Sequence, residues 1–259
     1  EIYNHHELRR ELRRRGHSFA GGSDAEVVVH LWEEEGERCV QRLRGMFALA
    51  LWDSRRRVLL LARDRIGKKP LAYVHDGDTI TFASEIPALL RDPATPREVD
   101  LEALDGFLAS QYVPGDRCAF SRVRKLPPGS TRVWRPGSEP VVRRYWTLAY
   151  EPKLSLSDEE ARERVRDLLL DAVAARLESE VPLGAFLSGG IDSSAVVAAM
   201  AMRSPNPVRT FSATFAEPGF DESAHARLIA RHFDTEHHEL EIRPAEPELL
   251  ARVVRCFGE

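Results

Sequence analysis

The stretch Leu183–Ser194, L-G-A-F-L-S-G-G-I-D-S-S, decides how the second half of the chain folds. Leu183 to Leu187 is a short apolar run with the length and character of a buried strand. Ser188, Gly189 and Gly190 follow, where the chain can turn sharply with its amides uncovered. After Asp192, Ser193 and Ser194, the run Ala195 to Met200 reads as a helix packed on a sheet. A strand feeding a Gly/Ser turn at a helix N-terminus makes an anion site from free N–H groups and the helix dipole. No lysine follows the turn, so the Walker pattern is absent, and an aspartate sits inside it. A carboxylate beside bound phosphates repels them unless a divalent cation lies between, so Asp192 points to magnesium. The bland alternative is a plain strand–turn–helix with Asp192 and Ser193 as caps, but capping alone does not require the whole S-G-G-x-D-S string.

Downstream the pattern alternates: helix 191–203, strand 208–215, helix 222–233, strand 236–242, and a helix from about Pro247. Strands alternating with helices imply a parallel, doubly wound sheet, with ligands beyond the C-terminal strand ends. Ser188 and Thr214 both lie at such ends. Asp221 and Glu222 read as caps of the next helix, and His237-His238 alternate faces on a strand, which suits joint metal ligation poorly. Upstream, Ser157 with Glu160 forms a capping box for a helix whose apolar face runs through Val165, Leu169, Val173 and Leu177. Five prolines between Leu126 and Ser157 mark the expected crossing between two domains, 1–147 and 148–259.

The first half opens with an expected helix over 4–15, capped by Asn4 with Glu7 in the box position and stopped by Gly16. A second runs from Asp24, its expected N-cap, to Glu35 and is ended by Gly36. The periodicity then changes: Met46–Trp52 and Val58–Ala62 read as one hairpin, Leu71–Val74 and Thr79–Ala83 as another turning at Asp76-Gly77-Asp78. Helices followed by antiparallel strands indicate an α+β layer domain, so the whole chain reads as α+β followed by α/β. Arg63-Asp64-Arg65 with Lys68-Lys69 reads as a loop of internal ion pairs, and His5-His6 as surface residues.

The chain has 259 residues, 43% hydrophobic and 30% charged, with a net charge of −4. That balance gives no sign of a nucleic-acid or membrane surface. The arginine clusters at 9–15 and 55–57 read as solvated faces. No apolar run approaches the roughly 20 residues that span a bilayer, and no signal peptide is visible. Cys39, Cys118 and Cys256 are widely spaced, without metal-ligand spacing, and read as reduced thiols of a cytoplasmic protein. The chain starts at Glu1 rather than methionine and ends soon after a helical pattern, so a piece of a longer protein, cut at both ends, is expected.

Two resemblances follow from these residues. S-G-G-I-D-S-S resembles the pyrophosphate loop of N-type ATP pyrophosphatases, which cleave ATP to AMP and pyrophosphate. In the first half, E-I-Y-N at 1–4, G-S-D-A-E-V at 22–27, R-L-R-G-M-F-A-L-A-L-W-D at 42–53, A-R-D-R-I-G-K-K-P-L at 62–71 and F-A-S-E-I at 82–86 act together. With Y-V-P-G at 112–115 and K-L-P-P-G at 125–129 they resemble the glutaminase domain of class II amidotransferases, in the asparagine synthetase B branch. The resemblance implies a partial αββα sandwich of N-terminal-nucleophile hydrolases, then a partial doubly wound sheet of the adenine nucleotide α-hydrolase type. It implies ATP and Mg2+, with glutamine and aspartate as substrates; no nucleic acid or membrane is implied, and a homodimer is left open.

The family nucleophile is a terminal cysteine, and none of the three cysteines here is terminal. By matching the motif, Glu1 and Asp24 fall where the family contacts the glutamine amino group, a charge-assisted clamp. Leu187, Ser188, Gly189, Gly190, Asp192, Ser193, Ser194 and Ala213 fall on the ATP and pyrophosphate site, with Asp192 on magnesium. The implied reaction is adenylation of aspartate and displacement of AMP by ammonia from glutamine, for which these 259 residues alone are expected to be inactive. The rivals are a relative with another acceptor (a β-lactam, a peptide, a polysaccharide-linked group) and a degenerate, non-catalytic binding module.

Overall fold

The computed structural model describes residues 1–179, 181–217, 219, 221–242 and 247–257. They form two units, Glu1–Tyr150 with Leu250–Glu259, and Glu151–Leu249.

In the first unit, α1 (His5–Arg14), α2 (Glu26–Glu35) and the single turn α3 (Cys39–Arg42) precede the hairpin β1 (Ala48–Asp53) and β2 (Val58–Arg63). A second hairpin follows, β3 (Ala72–Asp76) and β4 (Thr79–Ala83), turning through Gly77 at φ +54°. Then come α4 (Ile86–Leu89), α5 (Leu101–Ser110), β5 (Arg124–Lys125), β6 (Ser130–Trp134) and β7 (Val141–Arg144). Two sheets result, ordered β1-β2-β6-β7 and β4-β3-β5.

The apolar run Val58–Ala62 explains the layering, because β2 is buried on both faces. Val58, Leu60 and Ala62 pack with Leu8, Leu12, Val27, Leu31 and Val40 of the three helices. Leu59 and Leu61 point the other way and pack with Tyr73 of the second sheet and with Leu71 and Leu126 at the ends of its strands. That sheet's far face, Ala72 and Val74, covers Ile86 and Leu89 of α4. The layers therefore run helices, sheet, sheet, helix. Each fully buried leucine here contributes roughly 1.5–3 kcal/mol relative to an exposed one.

Several local expectations are corrected. Asn4 does not cap α1: its side chain crosses to the α3 exit, donating to Arg42 O (3.0 Å) and accepting from Arg44 N–H (2.9 Å). Arg9 is buried rather than solvated, and its guanidinium donates to the carbonyls of Gly21 and Ser23. The loop at 63–69 is not a set of ion pairs. The buried Asp64 carboxylate accepts from the amides of Phe47, Lys68 and Lys69, and Arg63 donates to the carbonyls of Gly67, Lys69 and Leu126. The proline-rich stretch after Leu126 holds two sheet strands, since Ser130–Trp134 pairs with β2 and Pro136 and Pro140 sit in the β6–β7 turn. Proline lacks an N–H for the ladder, so it is confined to such turns.

In the second unit α6 (Asp158–Leu177) starts at the expected Ser157/Glu160 capping box. Then β8 (Ala185–Phe186), α7 (Ile191–Arg203), β9 (Arg209–Phe215), α8 (Ser223–His232) and β10 (Glu236–Ile242) alternate; α9 (Pro247–Phe257) follows in the chain, and from Leu250 on it belongs to the first unit. The three strands are parallel, in the order β10-β9-β8. The expected strand over 183–187 shrinks to two paired residues, and Phe186 is 89% exposed while Leu187 is buried. Ala185, Leu187, Thr210 and Ser212 line the face under the helices, where Leu187 packs on Val197 of α7 and on Ala226 and Ala230 of α8. The opposite face carries Phe186, Phe211 and Leu240, all exposed. His238 stacks on Phe211, while His237 faces Thr210 Oγ1 at 2.9 Å on the other side.

Candidate functional site

The loop after β8 is held to the sheet at one point. Leu187 N–H donates to Phe211 O (2.8 Å), and the Ser212 hydroxyl donates back to Leu187 O. Ser212 was not among the expected site residues; its only sequence signal is a polar side chain inside an apolar strand. Past that anchor the chain turns at Gly189, whose φ of +82° is strained for any residue with a side chain. A Cβ there would also meet His225 Cβ at 2.5 Å and Ala226 N at 2.6 Å. Only glycine lets the turn pass this close to α8.

Hydroxyls organise the rest. Ser188 Oγ and Ser193 Oγ are 3.1 Å apart, Gly190 N–H donates to Ser188 Oγ (3.3 Å), and Ser188 N–H donates to Ser193 Oγ (3.3 Å). Gly190 is the N-cap of α7 and brings no side-chain acceptor to the first-turn amides. Ser194 Oγ is buried without a hydrogen-bond partner among the described residues. The α7 N-terminus is thus dressed with hydroxyl donors and carries no carboxylate cap, which is what an anion needs.

Leu187, Ser188, Ser193 and Ala213 share the lining of a hollow of about 280 Å³ with Glu222 and Ser223. Asp192 faces a second hollow, with Ser193 and Arg176. Its exposed carboxylate in the first turn of α7 gives one hard oxygen donor beside the loop, and Mg2+ is commonly held by one or two carboxylates plus phosphate oxygens and water. The donor set fits that ion. Asp221 is committed elsewhere: its carboxylate accepts from Ser223 Oγ (2.8 Å) and Ser223 N–H (3.3 Å), and the Ser223 bond holds it below the usual aspartate range.

In the first unit, Glu1 and Asp24 are neighbours. Asp24 Oδ2 accepts from Ile2 N–H at 2.7 Å and lies 3.9 Å from the Glu1 nitrogen. Asp24 is not a cap, because α2 begins at Glu26 after Ala25. Its carboxylate is used across 22 residues to fix the strand-like start of the chain. Among the cysteines, Cys39 and Cys118 are buried, and burial with Glu35 nearby pushes the Cys39 thiol up to about 12. A thiol so disfavoured as thiolate is no nucleophile.

A family model described as a glutamine amidotransferase domain matches residues 1–146, more than half of the chain. The chain belongs to the glutamine amidotransferase family. A second model, described as asparagine synthase, matches residues 164–259 of this amidotransferase chain. "Asparagine synthetase [glutamine-hydrolyzing] 1" of Bacillus subtilis is 37% identical over 246 residues, covering 95% of this chain and 38% of that protein. Its counterpart numbered 3 in the same organism is 38% identical over 223 residues, covering 84% and 36%. "Amidase chyE" of Penicillium rubens is 35% identical over 255 residues, covering 92% and 37%. The chain therefore spans little more than a third of these relatives. A glutamine phosphoribosylpyrophosphate amidotransferase from B. subtilis aligns over 97% of this chain and 48% of its own, at 15% identity and a TM-score of 0.39. Among the described residues no helix is long and apolar enough to cross a membrane.

Proposed function

We propose that the protein to which these residues belong is a glutamine-hydrolysing asparagine synthetase, with residues 1–147 in its glutaminase domain and 148–259 in its synthase domain. The observation that carries the reading is the α7 N-terminus, with its hydroxyls, tight Gly189 turn and exposed Asp192, in an amidotransferase chain. Helices, sheet, sheet and helix in the first unit support an N-terminal-nucleophile hydrolase sandwich. Three parallel strands with helical crossovers in the second support a nucleotide-binding α-hydrolase sheet.

In this reading the backbone at Leu187 and Ala213 holds the adenine at the strand ends. The hydroxyls of Ser188, Ser193 and Ser194 and the amides around Gly189 and Gly190 hold the phosphates that leave as pyrophosphate. Magnesium held by Asp192 would offset the charge that builds on that leaving group. ATP transfers AMP to the aspartate side-chain carboxylate, the α-phosphorus bond to pyrophosphate breaks, and ammonia from glutamine displaces AMP to give asparagine. Glu1 and Asp24 receive the glutamine ammonium group.

The test is aspartate-dependent exchange of labelled pyrophosphate into ATP by the full-length protein. Exchange should be abolished by Asp192→Ala; unchanged exchange refutes the assignment. The match to an amidase favours a second reading, the same chemistry on another acceptor carboxylate. Exchange that requires a carboxylate other than aspartate would select it.

A further inference from the structure

Away from either proposed substrate site, the connection between α1 and α2 brings three metal-ligating side chains to one point. Gly16, at φ +97°, reverses the chain at the end of α1, and His17 N–H returns to Leu12 O (3.1 Å). His30 and Glu33 sit one turn apart on α2, so they share a helix face. His17 Nδ1 lies 3.1 Å from His30 Nδ1 and 3.4 Å from Glu33 Oε2, and His30 Nδ1 lies 3.0 Å from the same oxygen. Protons satisfy at most two edges of this triangle, as when a His30 Nδ1–H is shared between His17 Nδ1 and Glu33 Oε2. Three atoms in mutual contact cannot alternate donor and acceptor, so every protonation assignment leaves two lone pairs or two protons facing each other. A cation at the centre turns all three lone pairs toward one partner.

We propose that His17 Nδ1, His30 Nδ1 and Glu33 Oε2 bind one zinc-type divalent ion, with a solvent water completing a tetrahedron. An ion held at roughly 2.0–2.1 Å in that geometry separates its ligand atoms by roughly 3.3 Å. The observed edges of 3.0, 3.1 and 3.4 Å meet that requirement. Two imidazoles and a carboxylate suit zinc better than calcium or magnesium.

A second layer is already in place. The far nitrogen of His17, Nε2, lies 2.9 Å from Glu34 Oε1, and Arg15 donates to Glu34 Oε2 at 3.2 Å. A carboxylate on the remote imidazole nitrogen fixes the tautomer that offers Nδ1 as ligand. The Phe19 ring packs edge-on against His30 at 4.6 Å, and the histidine side chains are only 14% and 17% exposed. Glu33, at 57%, leaves the entry side open. The ion would clamp the same connection that carries Asp24.

The experiment is calorimetric titration of the chelator-treated 259-residue chain with zinc chloride, together with visible spectra of the cobalt-loaded chain. We expect one equivalent bound, a rise in melting temperature, and the absorption bands of tetrahedral cobalt. His17→Ala and Glu33→Gln should each remove that equivalent, and Glu34→Gln should weaken binding about 10–100-fold. Glu33 is exposed enough that its variant should fold, so it decides if His17→Ala does not. No binding in the micromolar range, or an equivalent that survives both Glu33→Gln and His17→Ala, overturns the proposal. So would an equivalent lost instead on removing His5 and His6.

Discussion

Two loops in this chain solve the same backbone problem in opposite ways. Residues 63–69 and residues 188–194 both leave the end of a strand, turn at a glycine with positive φ, and gather amides toward one point. In the first, the chain supplies its own anion. Asp64, 1% exposed, accepts three backbone N–H groups, and the loop is closed. In the second, the Ser188 and Gly190 amides meet serine hydroxyls at 3.3 Å rather than a carboxylate, and the loop's own aspartate is exposed. A loop whose anion is built in is architecture; the loop at 188–194 is, in the function proposed above, the one that receives an anion from outside. Charge in the sequence does not separate the two, because both contain an aspartate. What separates them is where the carboxylate goes.

The largest effect should come from emptying the filled loop. Asp64→Ala leaves three donors in a buried site without an acceptor, at about 1–3 kcal/mol each. Denaturant unfolding of the first unit should show a loss of about 3 kcal/mol or more, with pyrophosphate binding intact. A loss below about 1 kcal/mol would make the two loops equivalent and break the contrast.

Next is Gly189→Ala. The left-handed backbone costs about 1–2 kcal/mol for a residue with a Cβ, and the clash with His225 and Ala226 adds to it. The second unit should lose about 2 kcal/mol or more and, in the same variant, its affinity for magnesium pyrophosphate. Asp192→Ala should do the reverse. An exposed substitution stays within about 0.5 kcal/mol in stability, yet magnesium should no longer strengthen pyrophosphate binding in a titration.

The smallest effect concerns a carboxylate filled by a side-chain donor. Trp32 Nε1–H donates to Asp53 Oδ2 at 2.9 Å, and this bond, with the amides of Arg56 and Arg55, holds Asp53 below its ordinary value of 3.8. A depressed carboxylate stabilises the fold above its unfolded pKa and loses that contribution as pH falls through the folded one. The acid limb of stability from this group should therefore lie below pH 3.8. In Trp32→Phe the Asp53 titration, followed by NMR, should move up toward 3.8; an unmoved midpoint would show that the indole bond is not the cause.

Local pattern was legible in the sequence, and long-range polar contacts were not. The run Val58–Ala62 announced a strand, and the Ser157/Glu160 box announced the start of α6, because periodicity and capping act within a few residues. Asn4, Asp24 and Arg9 read as caps or solvated charge in the sequence because their partners lie 12–40 residues away and are backbone groups, which carry no sequence signature. Strand β6 was hidden by the prolines of its own turn. The turn at Gly189 and the start of α7 could be read because both are set by the backbone of one contiguous stretch. The His17–His30–Glu33 triangle could not, since it needs the reversal at Gly16 to bring a residue from 13 positions away.

Amide hydrogen exchange measures both loops at once, and tests most directly whether the amides after the Gly189 turn take up an anion while those of the 63–69 loop are already filled. Lys68 and Lys69 should be strongly protected with or without ligand. Gly189, Ile191 and Asp192 should exchange fast alone and gain protection on adding magnesium pyrophosphate, with loss of that gain in Asp192→Ala. Protection at these three that is already high without ligand, or that does not change with it, would contradict the account.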